Sequence, residues 1–191
     1  MRAQNPKTEL MVQLTYQCNI DCVHCAYGDI RNSPEIDWCQ VSDFLDKYNP
    51  KLIKISGGEP TLAKNYENVL RTCLRETDAK VIVFTNGLGD PQKHPHHYWV
   101  SLYGPKKIHN QITQANTFNK TMQFIKDHEV EYLNSPLFSR AQIKSLRELS
   151  WELEIPLRIT RLLPHGSAKK VLNLKRTYKI IKRAKLHQRP N

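Results

Sequence analysis

Residues 52–84 read LIKISGGEPTLAKNYENVLRTCLRETDAKVIVF. A short apolar run, Leu52–Ile55, ends in a Gly-Gly turn. An amphipathic stretch follows, with Tyr66, Val69, Leu70, Cys73 and Leu74 at helical spacing. A second apolar run, Val81–Phe84, closes the segment. Runs this brief, rich in β-branched residues and flanked by turn formers, read as strands; the spacing between them reads as a helix. Strand, helix and strand within ~30 residues make one βαβ unit, whose right-handed crossover leaves the two strands parallel.

The same alternation extends in both directions. Leu10–Leu14, Trp99–Leu102, Val130–Leu133 and Leu157–Leu163 read as further strands. Val41, Phe44, Leu45 and Tyr48 share a helical face, as do Met122 and Ile125, and Ile143, Leu146, Leu149 and Leu153. At ~30 residues per unit the 191-residue chain holds about six units, short of the ~250 residues of a closed eight-unit barrel. The predicted fold is α/β with parallel strands, either a partial, open (β/α)6 barrel or a doubly wound sheet. One link is thin. Only Thr85–Tyr98 joins the third and fourth strands, with Pro91 and Pro95 inside it. That approaches the ~10–12 residue minimum of a crossover, so a loop or a short turn of helix is expected.

Composition sets the class. At 39% hydrophobic and 25% charged residues the chain has the balance of a globular domain, not of a disordered or membrane protein. No run nears the ~18 apolar residues of a membrane span, and the N-terminus lacks the apolar core of a signal peptide. The expected setting is a reducing cytoplasm, where five cysteines are ligands or free thiols rather than disulfides. The net charge of +11 is uneven. Residues 169–191 carry nine Lys or Arg and no acid, whereas residues 1–168 are nearly balanced, with 20 basic and 18 acidic residues. The expected organisation is a core domain, 1–168, and a basic C-terminal helix or tail, 169–191, packed on it through Val171, Leu174, Tyr178 and Ile181. A patch contacting nucleic-acid phosphates is the alternative.

In parallel α/β folds, ligands bind at the carboxyl ends of the strands. After the first strand stands CNIDCVHC, residues 18–25. Three cysteines in one short loop can wrap a soft-metal centre, since thiolates favour iron–sulfur clusters, zinc and copper(I). A four-iron cluster held by three thiolates leaves one iron open, unless Cys39 or Cys73 completes it. A structural zinc site wants four ligands, commonly in two close pairs. Three unrelated thiols are the plainest alternative. After the second strand stands SGGEPTL, residues 56–62. Two glycines allow close approach to the backbone, and a carboxylate can accept from an ammonium group.

Together, CNIDCVHC and SGGEPTL resemble the radical S-adenosylmethionine (SAM) superfamily, whose signature is a C-x3-C-x2-C loop followed by a GGEP strand end. The resemblance runs from about Leu10 to Ala168. Thr85-Asn86-Gly87, Ser101-Leu102-Tyr103-Gly104 and Arg161-Leu162-Leu163-Pro164-His165-Gly166 look like later family positions. The resemblance implies that Cys18, Cys22 and Cys25 bind one [4Fe–4S] cluster and that the open iron chelates the amino and carboxylate groups of SAM. One electron then cleaves SAM to methionine and a 5′-deoxyadenosyl radical, which abstracts hydrogen from a substrate. It implies that Gly57, Gly58 and Glu59 hold the methionyl ammonium, with Thr85 and Asn86 alongside. Ser101 reaches the ribose or the carboxylate, and Asn134 the ribose or adenine. Leu163 and Gly166 line the adenine. Arg161, rather than Arg158, pairs with the methionyl carboxylate. The electron donor expected of the family is flavodoxin- or ferredoxin-like.

His24 departs from the family, which often has an aromatic residue before the third cysteine. An imidazole there can still stack, and makes SAM binding pH-sensitive near neutrality. Cys39 and Cys73, in helical patterns, read as free or buried thiols; family subgroups with extra clusters carry many more cysteines after the core, and with none after Cys73 the resemblance implies a single cluster. His94-Pro95-His96-His97 reads as a polar loop before a strand. Tyr103, Lys106, His109 and Asn110 are the substrate-facing candidates, in a loop after the fourth strand. The substrate is open between a protein, peptide or nucleic acid and a small molecule, as in deazapurine synthesis; activation of a glycyl-radical enzyme is a further role. The rival reading is a non-catalytic iron–sulfur or zinc protein that keeps the fold.

Overall fold

A computed structural model describes residues 9–89 and 96–162. Six strands form one sheet: β1 (Glu9–Thr15), β2 (Leu52–Gly57), β3 (Lys80–Thr85), β4 (His97–Ser101), β5 (Val130–Pro136) and β6 (Leu157–Thr160). The helices are α1 (Trp38–Tyr48), α2 (Tyr66–Glu76), α3 (Lys106–Thr113), α4 (Phe118–Asp127) and α5 (Arg140–Glu152). The strand order is β1-β2-β3-β4-β5-β6, and every neighbouring pair is parallel. A doubly wound sheet reverses its strand order partway. This sheet never does, so same-handed crossovers put the helices on one face and leave the other face free, as in a partial barrel. No helix among the described residues is long and apolar enough to cross a membrane.

Parity along each strand separates core from cavity, because successive side chains point to opposite faces. Val12, Leu14, Ile53, Ile55, Val81, Val83, Tyr98, Val100 and Leu133 point outward. They form one core with Val41 and Leu45 of α1, Val69, Leu70 and Cys73 of α2, Phe124 and Ile125 of α4, and Leu146 of α5. The alternate residues point inward. Local chemistry sets the helix ends. Asp37 and Gln40 make a reciprocal capping box at α1, and Ser139 accepts from the Gln142 N–H at the start of α5.

Two expectations need correction. The sixth strand ends at Thr160, short of Leu163. The segment after β4 is not a loop: α3 occupies it, and His109 points into the protein at 1% exposure. Periodicity missed α3 because Ile108 and Ile112 are its only apolar residues, while its buried face is completed by His109 and Thr113. Most of the short link between β3 and β4, residues 90–95, lies outside the described residues.

His109 ties this corner together. Its Nδ1 accepts from the Tyr103 backbone N–H at 3.4 Å, and its Nε2 lies 3.1 Å from the Thr117 hydroxyl. Its ring stacks on Tyr103, with centroids 5.4 Å apart. Burial lowers its pKa from 6.5 to about 4, since a charged ring would lose water. Protonating Nδ1 would also remove the acceptor that Tyr103 uses. The folded value lies below the unfolded one, so the stabilisation is complete above about pH 6.5 and is lost as pH falls through about 4. We expect His109 to account for a loss of about 3 kcal/mol over that window. Urea midpoints measured between pH 7 and 4.5 should fall less steeply in His109→Gln than in the wild type.

Candidate functional site

The inward residues at the carboxyl ends of the strands bound a cavity of about 280 Å³. Ser56 of β2, Phe84 and Thr85 of β3, Ser101 of β4, Asn134 and Pro136 of β5, and Thr160 of β6 line it. Ser101 and Asn134 are register partners, as are Asn134 and Arg158, and Pro136 and Thr160. The loop after β1 supplies Cys18, Cys22, His24 and Cys25, and the turn after β2 supplies Gly57 and Gly58. Asn86, Tyr103 and Arg161 complete the set of polar walls. Residues far apart in the chain thus meet at one place because each follows, or ends, a strand.

The Gly-Gly turn holds the cysteine loop by its backbone. The Gly58 N–H donates to the Thr15 carbonyl at 2.8 Å, and the Glu59 N–H to the Gln17 carbonyl at 2.7 Å. These acceptors stand immediately before Cys18. A Cβ at Gly58 would lie 2.2 Å from the Gln17 oxygen and 2.6 Å from the Tyr16 oxygen; one at Gly57 would lie 2.8 Å from the Thr15 oxygen. The glycines are therefore required by chain-to-chain approach within the protein, besides any approach by a ligand.

Glu59 is placed differently from its neighbours. It is fully buried and does not line the cavity. Its Oε1 accepts from the Thr61 hydroxyl at 2.8 Å, the Thr61 N–H at 3.3 Å and the Thr85 hydroxyl at 2.9 Å, and its Oε2 accepts from the Asn86 N–H at 2.7 Å. Burial pushes its pKa up, while these four donors pull it down. The carboxylate works here as a strut between the ends of β2 and β3. It fixes Thr85 and Asn86, and the Asn86 amide then donates to Asn19 Oδ1 at 2.8 Å inside the cysteine loop.

The three thiols carry no disulfide. Burial raises the pKa of Cys18 and pushes that of Cys22 up to about 12. Donors surround the sulfurs. The Asn86 amide lies 3.8 Å from Cys18 Sγ, while the Tyr103 hydroxyl and the Arg31 guanidinium stand near Cys22 and Cys25 and favour their thiolates. Arg31 also donates to the Ile20 carbonyl at 2.9 Å and pairs with Asp21 at 2.6 Å, so one side chain braces the whole loop. Sequence reasoning missed Arg31; six residues past the last cysteine, it follows no periodicity that points at the loop. Among the described residues no group of His, Cys, Asp or Glu side chains converges to hold a single metal ion. A cubane cluster takes its thiolates at separate irons and does not need that convergence. Three free thiols on one cavity wall, each with a donor nearby, fit such a cluster.

His24 sits between the rings of Tyr103 and Phe138, with centroids 5.0 and 5.1 Å away. Burial lowers its pKa to about 4. That direction runs against a titration of His24 near neutrality. Of the two arginines, Arg161 lines the cavity, whereas Arg158 lies over the ring of Trp99, 4.4 Å from its centroid. Among the substrate-facing candidates, Tyr103 lines the cavity and His109 does not; Lys106 opens α3 on the surface. Cys39 is exposed on α1 and Cys73 is buried in the core, both away from the cavity wall. His96 is buried beside Tyr98, and His97 lies 3.6 Å from Glu129; His94 falls outside the described residues. Leu163, Gly166 and the basic stretch 169–191 also lie outside the described residues.

Comparisons with known proteins bear on the arrangement of strands. No protein-family model matches the chain. A protein of Methanocella arvoryzae named "Probable GTP 3′,8-cyclase" is 33% identical over 84 residues, covering 42% of this chain and 27% of the relative. Its namesake in Methanosarcina mazei is 32% identical over 91 residues, covering 42% of this chain and 26% of the relative. The match thus spans about a quarter of the length of these relatives. The crystal structure of Streptococcus suis SuiB bound to S-adenosylmethionine superposes with a TM-score of 0.72 at 16% identity, over 97% of this chain and 49% of SuiB. At that identity the likeness speaks for the fold. The chain shares its fold with SuiB over nearly its whole length, and a segment of it is similar in sequence to proteins named GTP 3′,8-cyclase.

The strap makes a prediction. In Gly58→Ala the new methyl meets backbone oxygens, which cannot swing away as a side chain would. We expect a loss of about 1–3 kcal/mol of stability, read from urea midpoints. Iron retained per chain after anaerobic reconstitution should fall below the wild-type value.

Proposed function

We propose that this chain is a radical SAM enzyme that uses one [4Fe–4S] cluster, held by Cys18, Cys22 and Cys25. The observation that carries the reading is the convergence of those three thiols, the Gly57-Gly58 turn, Ser101 and Asn134 on one cavity at the strand ends. When bound, the cluster and SAM supply a one-electron cleavage that yields methionine and a 5′-deoxyadenosyl radical. The residues of the chain bind, orient and shield. Gly57 and Gly58 present backbone to the methionyl ammonium. Arg161 offers a planar fork to the methionyl carboxylate. Asn134 Oδ1 is buried without a hydrogen-bond partner, an acceptor suited to a ribose hydroxyl. Ser101, its register partner, offers a second polar contact. Phe84 and His24 give flat surfaces for the adenine. Glu59 acts through Thr85 and Asn86 rather than by touching SAM.

The position of Cys39 and Cys73, away from the cavity, supports a single cluster over a second one. The substrate reading has two leads. The relatives' name points to a nucleotide, and SuiB has also been crystallised bound to the precursor peptide SuiA, which points to a peptide. The rival reading, a cluster kept for structure or electron transfer, shares the thiol loop but has no use for Ser101 and Asn134.

The test is anaerobic. The protein is reconstituted with iron and sulfide, SAM and dithionite are added, and 5′-deoxyadenosine is quantified. We expect product from the wild type and none from Cys22→Ala. Ser101→Ala should keep its iron while its Kd for SAM rises about 3–10-fold, the loss of one hydrogen bond of about 0.5–1.5 kcal/mol. Wild-type protein with full iron that neither cleaves SAM nor changes its EPR spectrum on SAM addition would overturn the reading.

A further inference from the structure

The inner face of the sheet has a second layer. Two residues before the cavity-lining positions, on the same strands and the same face, stand Lys54, Ile82, Trp99, Tyr132 and Arg158. Two residues of strand span about 6.6 Å, so this layer lies one side-chain row beneath the cavity. Barrel interiors at such depth are usually filled with branched apolar side chains. Here the row holds two cations and a tryptophan.

The charges do not all find partners. Lys54, only 7% exposed, pairs with Glu9 of β1. Lys80, at the start of β3, pairs with Glu131 at 2.7 Å. Arg158 has no carboxylate partner among the described residues. Its guanidinium lies over the Trp99 ring, and Lys54 Nζ lies 5.4 Å from the same ring. A guanidinium over an aromatic face keeps its in-plane N–H fork available, in the geometry that grips carboxylates and phosphates. Trp99 is 8% exposed, and its Nε1–H is buried without an acceptor. A buried donor and a half-buried cation, both short of acceptors, stand side by side. Taking such groups out of water costs free energy that a bound anion would offset.

We propose that this layer is a substrate-anchoring site, in which Arg158 beside Trp99 takes an anionic oxygen group of the substrate, a carboxylate or a phosphate. Arg161 lines the SAM cavity above, so the two arginines divide the labour: one faces the cofactor and the other the substrate. The anchor fixes one end of a substrate and leaves its remainder directed up the inner face toward the cavity. The inference deepens the radical SAM reading of the same barrel, but its test needs neither cluster nor SAM.

The test uses the full chain without a cluster, carrying Trp38→Phe and Trp151→Phe. Trp99 is then the sole tryptophan; the two replaced residues are exposed. Inorganic phosphate and acetate are titrated separately at constant ionic strength, balanced with chloride, while Trp99 emission is followed. We expect a saturable change with at least one of them. The anion that saturates at the lower concentration names the source of the oxygen group. The Kd should rise about tenfold or more in Arg158→Gln, as loss of a charged hydrogen bond implies, and by a smaller factor in Arg158→Lys, which keeps the charge without the fork. Circular dichroism checks that each variant is folded, and the lysine variant keeps the comparison open if the glutamine variant is not. No saturable change with either anion overturns the proposal. So does an unchanged Kd in Arg158→Gln, which would assign the signal to another basic site. Either failure leaves SAM cleavage untouched, and failure of SAM cleavage leaves this titration readable.

Discussion

The site depends on two backbone hydrogen bonds, from Gly58 to the Thr15 carbonyl and from Glu59 to the Gln17 carbonyl. They tie the end of β2 to the last residues before the cysteine loop. Arg31, the Asn19–Asn86 contact, the Gln114 amide donating to the Asp21 carbonyl and the link from Val23 to Ile112 add to their hold on the loop after β1. The approach is so close that neither glycine leaves room for a Cβ. Glu59 extends the same strap to the next strand, because its buried carboxylate gathers donors from Thr61, Thr85 and Asn86. Three successive strand ends are thus locked to one another before any ligand enters.

The strands were legible because burial on the helix side imposes a period of two and a β-branched vocabulary. All six apolar runs of the sequence are strands of the sheet. The absence of a reversal in strand order is a topological fact that periodicity does not carry, and it decided between the barrel and the doubly wound sheet. Helix α3 escaped because its inward face is built from His109 and Thr113, residues that read as polar until their partners are known. The thiol loop and the Gly-Gly turn were legible as motifs. The orientation of Glu59 was not, since a carboxylate beside a ligand turn and one buried as a strut have the same one-dimensional signature. Arg31 and Trp99 were missed for the opposite reason: what they do is set by neighbours more than ten residues away, Ile20 for the first and Arg158 for the second.

Each strand serves two chemistries at once. Val100 packs into the core and Ser101 faces the cavity; Leu133 and Asn134 repeat the division on the next strand. The outer side chains supply apolar burial, and the inner ones include buried polar atoms without a hydrogen-bond partner, Trp99 Nε1 and Asn134 Oδ1. Such groups cost stability, and the well-packed outer core offsets that cost. The division also explains why the two arginines of β6 and its exit differ so much. Arg158 is on the inner face within the strand, whereas Arg161 lies just beyond it, at the rim.

That parity makes the strands intolerant of changes in length. A single residue inserted in β4 or β5, unless taken up in a bulge like the one opposite Tyr98 and Trp99, would turn every later side chain of that strand over. Val100 or Leu133 would face the cavity, and Ser101 or Asn134 would enter the core. One lesion would empty the site and bury polar groups without partners in the same stroke. The connections between elements carry no such phase. Length variation is therefore confined to the segments outside the sheet, and the frame of the sheet fixes the spacing of the chemistry it holds.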